Sequence, residues 1–159
     1  MNLKQVTNKS LITIDCDLST KREVIDYLVE KLYQEGKIGS REEFLKAVLE
    51  REELSETGIS EGIAIPHGKS EAVKEASVAI ARMVKPVSDW ESLEEGNEVT
   101  LVFLLAIPTA AAGDTHLELL AELMTRAQDT AFLDGLKNAG TVEELYNCLE
   151  TEEKEETAE

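Results

Sequence analysis

Aromatic side chains are scarce in this 159-residue sequence: one Trp, three Tyr and three Phe, 4% of the chain. Its core must therefore be built mainly from Leu, Val, Ile and Ala. Cysteine is scarce too. Cys16 and Cys148 lie far apart, with no second Cys or His at metal-ligand spacing. That excludes a disulfide scaffold and reads as two free thiols in a reducing compartment. No apolar run follows the first lysine, so no signal peptide is expected. The longest apolar stretch, Val99 to Ile107, is far too short to span a bilayer. Together these absences point to the cytoplasm. There is no Gly-rich phosphate loop with its lysine and no Gly-x-Ser-x-Gly elbow, which argues against nucleotide binding and against a serine hydrolase. Basic residues are in deficit: 16 against 33 acidic ones, for a net charge of −17. Such a surface repels nucleic acid and anionic membranes and suits a basic protein partner.

Hydrophobic residues make up 42% of the chain and recur along its whole length, as in a folded globular protein. The length fits one domain. Leu11 to Ile14 reads as a short strand. Val24, Ile25, Leu28, Val29 and Leu32 recur at helical spacing over Lys21 to Gln34, with Thr20 and Glu23 at capping-box spacing and Gly36 as the stop. Ser40 and Glu43 cap a second amphipathic helix carrying Phe44, Leu45, Val48 and Leu49. A polar loop from Glu52 to Gly62 leads to a brief strand, Ile63 to Ile65, which Pro66 must end or edge.

Ser77 to Met83 alternates as a strand, and Pro86 to Asn97 reads as a loop holding the single Trp. Val99 to Ile107 predicts a strand buried on both faces beneath helices. A small-residue loop, Pro108 to Asp114, precedes a third helix with Thr115 and Glu118 at capping-box spacing. Two shorter helices are expected over Thr130 to Asn138 and Thr141 to Leu149. The expected fold is a single α/β domain, a mixed β-sheet flanked by helices on both faces, over residues 1–150. The acidic residues 151–159 are expected to be disordered or to begin a linker.

The chain has only two histidines. His67 follows a strand and a proline that fixes the backbone, and it precedes Gly68, which adds little bulk. A neutral imidazole attacks phosphorus well, and the N–P bond it forms stays reactive, so histidine suits relaying a phosphoryl group rather than storing it. On these residues alone, a histidine that merely caps a loop fits as well. His116 falls in the first turn of the third helix, where the helix dipole favours a neutral ring and free backbone N–H groups can hold phosphate oxygens. An ordinary surface histidine is the plainer alternative. Arg51 closes the second helix just before the loop to His67. It could fork onto phosphate oxygens or simply complement the helix dipole. His67, His116 and Asp114 or Glu118 match no established metal-ligand spacing.

The stretch from Arg51 through Thr57-Gly58 to Gly62-Ile-Ala-Ile-Pro66-His67-Gly68 resembles the active-site region of the fructose/mannitol-type EIIA domains of the bacterial phosphotransferase system. Ser77 to Arg82 with Pro86-Val87, Val99 to Ala106, and His116 to Leu123 resemble that family's following strand and turn, central strand and second-histidine helix. The likeness covers about residues 5 to 150. It implies a phosphotransferase component, a phosphocarrier for uptake of a sugar of the fructose/mannitol class. His67 would be phosphorylated by phospho-HPr and would pass the group to a cysteine of the cognate EIIB. His116 would be the auxiliary histidine, Arg51 would stabilise the phosphate, and Thr57, Gly58 and Gly68 would lie in the binding loop. No metal or organic cofactor is implied, and membrane contact would come only through the sugar permease complex. A nitrogen-related or regulator-associated module, switched by phosphorylation of the same histidine, is the alternative. Both partners must dock on one shallow apolar surface, expected to be rimmed by Ile65, Ala110, Ala111 and Ala112.

Overall fold

The computed structural model of the chain describes residues 3–109 and 115–150, with side chains in the helix that opens at Thr115 described from Glu118 onward. After two short 3-10 turns, Leu3–Val6 and Lys9–Leu11, the strands are β1 (Ile12–Cys16), β2 (Ile63–Ala64), β3 (His67–Ser70), β4 (Ser77–Val87) and β5 (Val99–Pro108). They form one sheet in the order β1-β4-β5-β2, with β3 also paired to β5, just beyond β2. β1 is parallel to β4, β4 is antiparallel to β5, and β2 and β3 are parallel to β5. The sheet is therefore mixed.

Helices cover both faces. α1 (Lys21–Gln34) and α2 (Arg41–Leu54) lie on one side, and α3 (Thr115–Arg126), α4 (Thr130–Asn138) and α5 (Val142–Cys148) on the other. β5 explains why its sequence is apolar without a break. Val102, Leu104 and Ala106 enter the core under α1 and α2, while Leu101, Phe103, Leu105 and Ile107 enter the core under α3 to α5. A strand buried on both faces cannot alternate with polar residues. Each of these leucines, fully withdrawn from water, contributes roughly 1.5–3 kcal/mol.

The helices follow their caps. Thr20 and Glu23 form a reciprocal capping box at the start of α1, and Gly36, with φ 75°, follows its end. The Ser40 hydroxyl accepts from the Glu43 N–H at the start of α2. Thr141, expected to open the last helix, instead caps it: its hydroxyl accepts from the Glu144 N–H and α5 begins at Val142.

Several strand boundaries differ from expectation: β1 runs Ile12–Cys16 rather than Leu11 to Ile14, and β5 ends at Pro108 rather than Ile107. β4 extends past Met83 through Pro86 to Val87, which pairs with Val99 after an irregularity in register. A proline lacks a donor for the ladder and is tolerated where the pairing slips. β2 stops at Ala64. Beyond Pro66 the chain forms β3, a strand too short and polar to show alternation, so His67 is the first residue of a strand rather than a loop residue. The expected residues of the 110–114 loop, the Thr115 cap and the 151–159 tail lie outside the described residues or side chains. Among the described residues, no helix is long and apolar enough to cross a membrane.

Candidate functional site

His67 stands at the edge of the sheet. Its register partner on β5 is Leu105, whose side chain lies in the core beneath α3 to α5, so the imidazole stands on that face. The next residue, Gly68, pairs with Ala106 and turns to the opposite face, against α2. A Cβ at Gly68 would lie 2.9 Å from Val48 Cγ2, 3.1 Å from the Val48 backbone nitrogen and 3.2 Å from Phe44 Cε1. The missing side chain is what lets α2 press directly on β3.

That close approach brings the last turn of α2 to the sheet edge. Arg51 Nε donates to His67 Nε2 at 3.1 Å, and its Nη1 donates to the Ser55 carbonyl at 3.1 Å. On the other ring nitrogen, His67 Nδ1 lies 3.1 Å from the Ile65 carbonyl oxygen. A carbonyl can only accept, so Nδ1 carries the hydrogen, and Nε2 is left with the lone pair that receives Arg51. A doubly protonated ring would instead face the arginine N–H with another N–H. The two contacts together select the neutral Nδ1–H form, with Nε2 as the nucleophilic atom.

Two hollows meet at His67. One, of about 570 Å3, is lined by Ala47, Glu50, Arg51, Leu54, Lys69 and Ile107 among others. The second, of about 200 Å3, is lined by Thr57, Ile59, Leu93, Leu120 and Met124, with Arg51 again on its wall. Leu54, Leu93 and Met124 are exposed to 79%, 63% and 40%, so accessible apolar side chains flank His67.

The loop behind the site is fastened by buried polar contacts. Thr57 Oγ1 donates to Glu52 Oε2 at 2.7 Å and accepts from Trp90 Nε1 at 2.9 Å. Glu52 also pairs with Lys21 Nζ at 3.2 Å. Gly58 donates its N–H to the Glu91 carbonyl and accepts from the Leu93 N–H. A Cβ there would strike Ser92 Oγ and lie 2.7 Å from the Glu91 carbonyl, so only glycine fits between the two loops.

A profile described as "Phosphoenolpyruvate-dependent sugar phosphotransferase system, EIIA 2" matches residues 5–152. The chain belongs to the EIIA type-2 family. It is 40% identical over 150 residues to the 2-O-alpha-mannosyl-D-glycerate-specific EIIABC component of Escherichia coli K12, a match covering 94% of this chain and 23% of that protein. The chain thus spans about a quarter of that curated relative. Among solved structures it resembles the nitrogen regulatory protein IIA-Ntr of Neisseria meningitidis, with a TM-score of 0.82 and 28% identity over 92% of this chain and 98% of the other. It also resembles the mannitol enzyme IIA of E. coli, solved in complex with phosphorylated enzyme IIB. There the TM-score is 0.75 and the identity 25%, covering 89% of this chain and 95% of the other. EIIA domains are phosphotransferase components that transfer phosphoryl groups via histidine, and this chain is such a component.

Of the residues expected in this EIIA site, His67 and Arg51 are in direct contact, and Gly68 sets the packing that joins them. Arg51 sits within the last turn of α2, three residues before its end. Thr57 and Gly58 lie in the wall behind the histidine, and the Thr57 hydroxyl is already engaged on both sides. His116 occupies the first turn of α3, while its side chain lies outside the description. The expected docking rim needs correction: Ile65 is 2% exposed, because it faces the core under α3, and Ala110 to Ala112 are outside the described residues. Among the described residues, Leu54, Leu93 and Met124 are accessible apolar side chains beside the histidine. Glu52 and Trp90 escaped the sequence reading. One acid among 33 carries no mark, and the single Trp sat in a segment read only as loop.

Proposed function

We propose that the chain is the phosphocarrier of a phosphoenolpyruvate-dependent uptake system for a sugar of the fructose/mannitol class, acting in the cytoplasm. His67 takes a phosphoryl group from phospho-HPr on Nε2 and passes it to a cysteine of the cognate EIIB. The observation that carries this reading is the pair of contacts on the imidazole, which leaves the Nε2 lone pair at the meeting point of two open hollows.

In the first step, Nε2 attacks phosphorus in line. The N–P bond forms as the donor's bond to phosphorus breaks, and that electron pair leaves with the donor. The ring gains positive charge, and the Nδ1–H bond to the Ile65 carbonyl strengthens because it becomes charge-assisted. Arg51 turns from Nε2 to the phosphoryl oxygens, where its fork matches their geometry. In the second step, the EIIB thiolate attacks the same phosphorus, and His67 departs as the neutral Nδ1–H imidazole it was at the start. No net proton transfer at Nδ1 is needed in either direction.

Position 116 falls one turn before Leu120, on the stripe of α3 that continues to Met124 and lines the second hollow, which supports an auxiliary role for His116. Leu54, Leu93 and Met124 offer both partners the same apolar contact in turn, and exposed Glu50, Glu53 and Glu56 beside them favour a basic donor.

Incubated with phosphoenolpyruvate, Enzyme I and HPr, the chain should gain the mass of one phosphoryl group and lose it on addition of a fructose-type EIIB. No gain with active HPr would falsify the assignment. The structural likeness to IIA-Ntr supports a second reading, a regulatory module switched by the same phosphorylation. Uptake from HPr with no onward transfer to any EIIB would favour that reading. Arg51→Lys keeps the charge but loses the planar fork, and is expected to slow uptake by about 100-fold, read by rapid-quench kinetics. An Arg51→Lys rate equal to the parent's would remove Arg51 from the transfer step.

A further inference from the structure

The Arg51 and Ile65 contacts of the His67 ring both trace back to one buried residue. The Ile65 carbonyl, which fixes the Nδ1 hydrogen, belongs to a residue whose N–H donates to the Thr57 carbonyl at 2.9 Å. Arg51, which lies on Nε2, is followed by Glu52, whose carboxylate receives the Thr57 hydroxyl. Thr57 is 2% exposed, and the Glu52 side chain is 6% exposed and paired with Lys21. Trp90 closes the chain by donating to the same hydroxyl. The hydroxyl gives its hydrogen to Glu52 and accepts from Trp90, and its carbonyl serves Ile65, so it is committed to the scaffold and not to a ligand.

We infer that Thr57 is a positioning residue for phosphoryl transfer: held by Glu52 and Trp90, it fixes the Ile65 carbonyl and the end of α2 so that His67 keeps its hydrogen on Nδ1 and its lone pair on Nε2. This inference rests on the reading of His67 Nε2 as the phosphoryl acceptor. The tautomer matters because an imidazole with its hydrogen on Nε2 has no lone pair there to attack phosphorus. A carbonyl free to turn away from Nδ1 no longer selects between the two forms. Buried polar chains of this kind act as a unit, so loss of one hydroxyl loosens Glu52, Trp90 and the two loops together.

The test compares the full chain with Thr57→Val, which keeps the shape and removes the hydroxyl, and Thr57→Ser, which keeps the hydroxyl. Long-range 1H–15N correlations of the His67 ring report the tautomer, and uptake from phospho-HPr is measured across donor concentrations. In Thr57→Val the ring nitrogens should shift toward a tautomer mixture, and the maximal rate should fall at least about 10-fold. The fall should appear in the maximal rate more than in the half-saturating donor concentration, because the Thr57 side chain is buried and offers no contact of its own to the donor. Thr57→Ser should restore both. Folded Thr57→Val with parental ring shifts overturns the inference, whatever its rate. Should Thr57→Val fail to fold, Trp90→Phe decides by the same two readouts, with parental shifts again overturning it. Failure of the unaltered chain to take up phosphate would instead overturn the acceptor role of His67, a separate outcome from the ring measurement.

Discussion

His67→Ala is expected to abolish phosphoryl uptake from phospho-HPr, seen as no mass gain after incubation with phosphoenolpyruvate, Enzyme I and HPr. His116→Ala should still gain the group, at a rate lowered by about 100-fold if the second histidine supplies one stabilising hydrogen bond. The asymmetry follows from chemistry. An acceptor supplies the bond that forms, whereas an auxiliary group only lowers the barrier to forming it. Loss of the His67 ring removes two half-buried hydrogen bonds, at a cost of about 1–3 kcal/mol, so the variant should remain folded by circular dichroism. A mass gain in folded His67→Ala would place the acceptor elsewhere in the chain.

Gly68→Ala is expected to damage stability and transfer together. The added methyl would sit 2.9 Å from Val48 Cγ2 and 3.1 Å from the Val48 backbone nitrogen, and a helix backbone cannot yield as a flexible side-chain tip does. Overpacking of this kind costs typically about 1–3 kcal/mol, measurable as a lower urea midpoint with an unchanged slope. α2 must back away from β3, and Arg51 moves with it, off Nε2. The phosphoryl uptake rate should fall by about 100-fold in protein that is still folded, since a displacement near 1 Å is enough for that. Parental stability and parental rate in Gly68→Ala would show that the contact between α2 and β3 does not set the site.

Legibility in the sequence followed the strength of the local physics. α1 and α4 fall on the expected residues because helical periodicity and flanking residues agree, and the capping box of α1 is formed as read. β5 is legible because burial on both faces leaves an unbroken apolar run. β3 is not legible: four residues, His67 to Ser70, include a glycine and a lysine and are held by β5 rather than by their own preference. The same division runs through the site. His67 and Arg51 could be paired from their place beside a strand end and a helix end. The direction of the Thr57 hydroxyl, the choice of Glu52 among many acids and the buried state of Ile65 depend on which face each residue takes once the sheet forms.

The sheet edge formed by β3 has a second side. A strand with an open edge is a template on which another extended chain can lay down, the route by which folded proteins stick together. Among the described residues, no further strand pairs with this edge. Exposed Lys69 places a solvated charge on this short run. Only four residues long, β3 offers too few rungs for a foreign strand to hold. So short and charged an edge is kept from becoming a seed for aggregation.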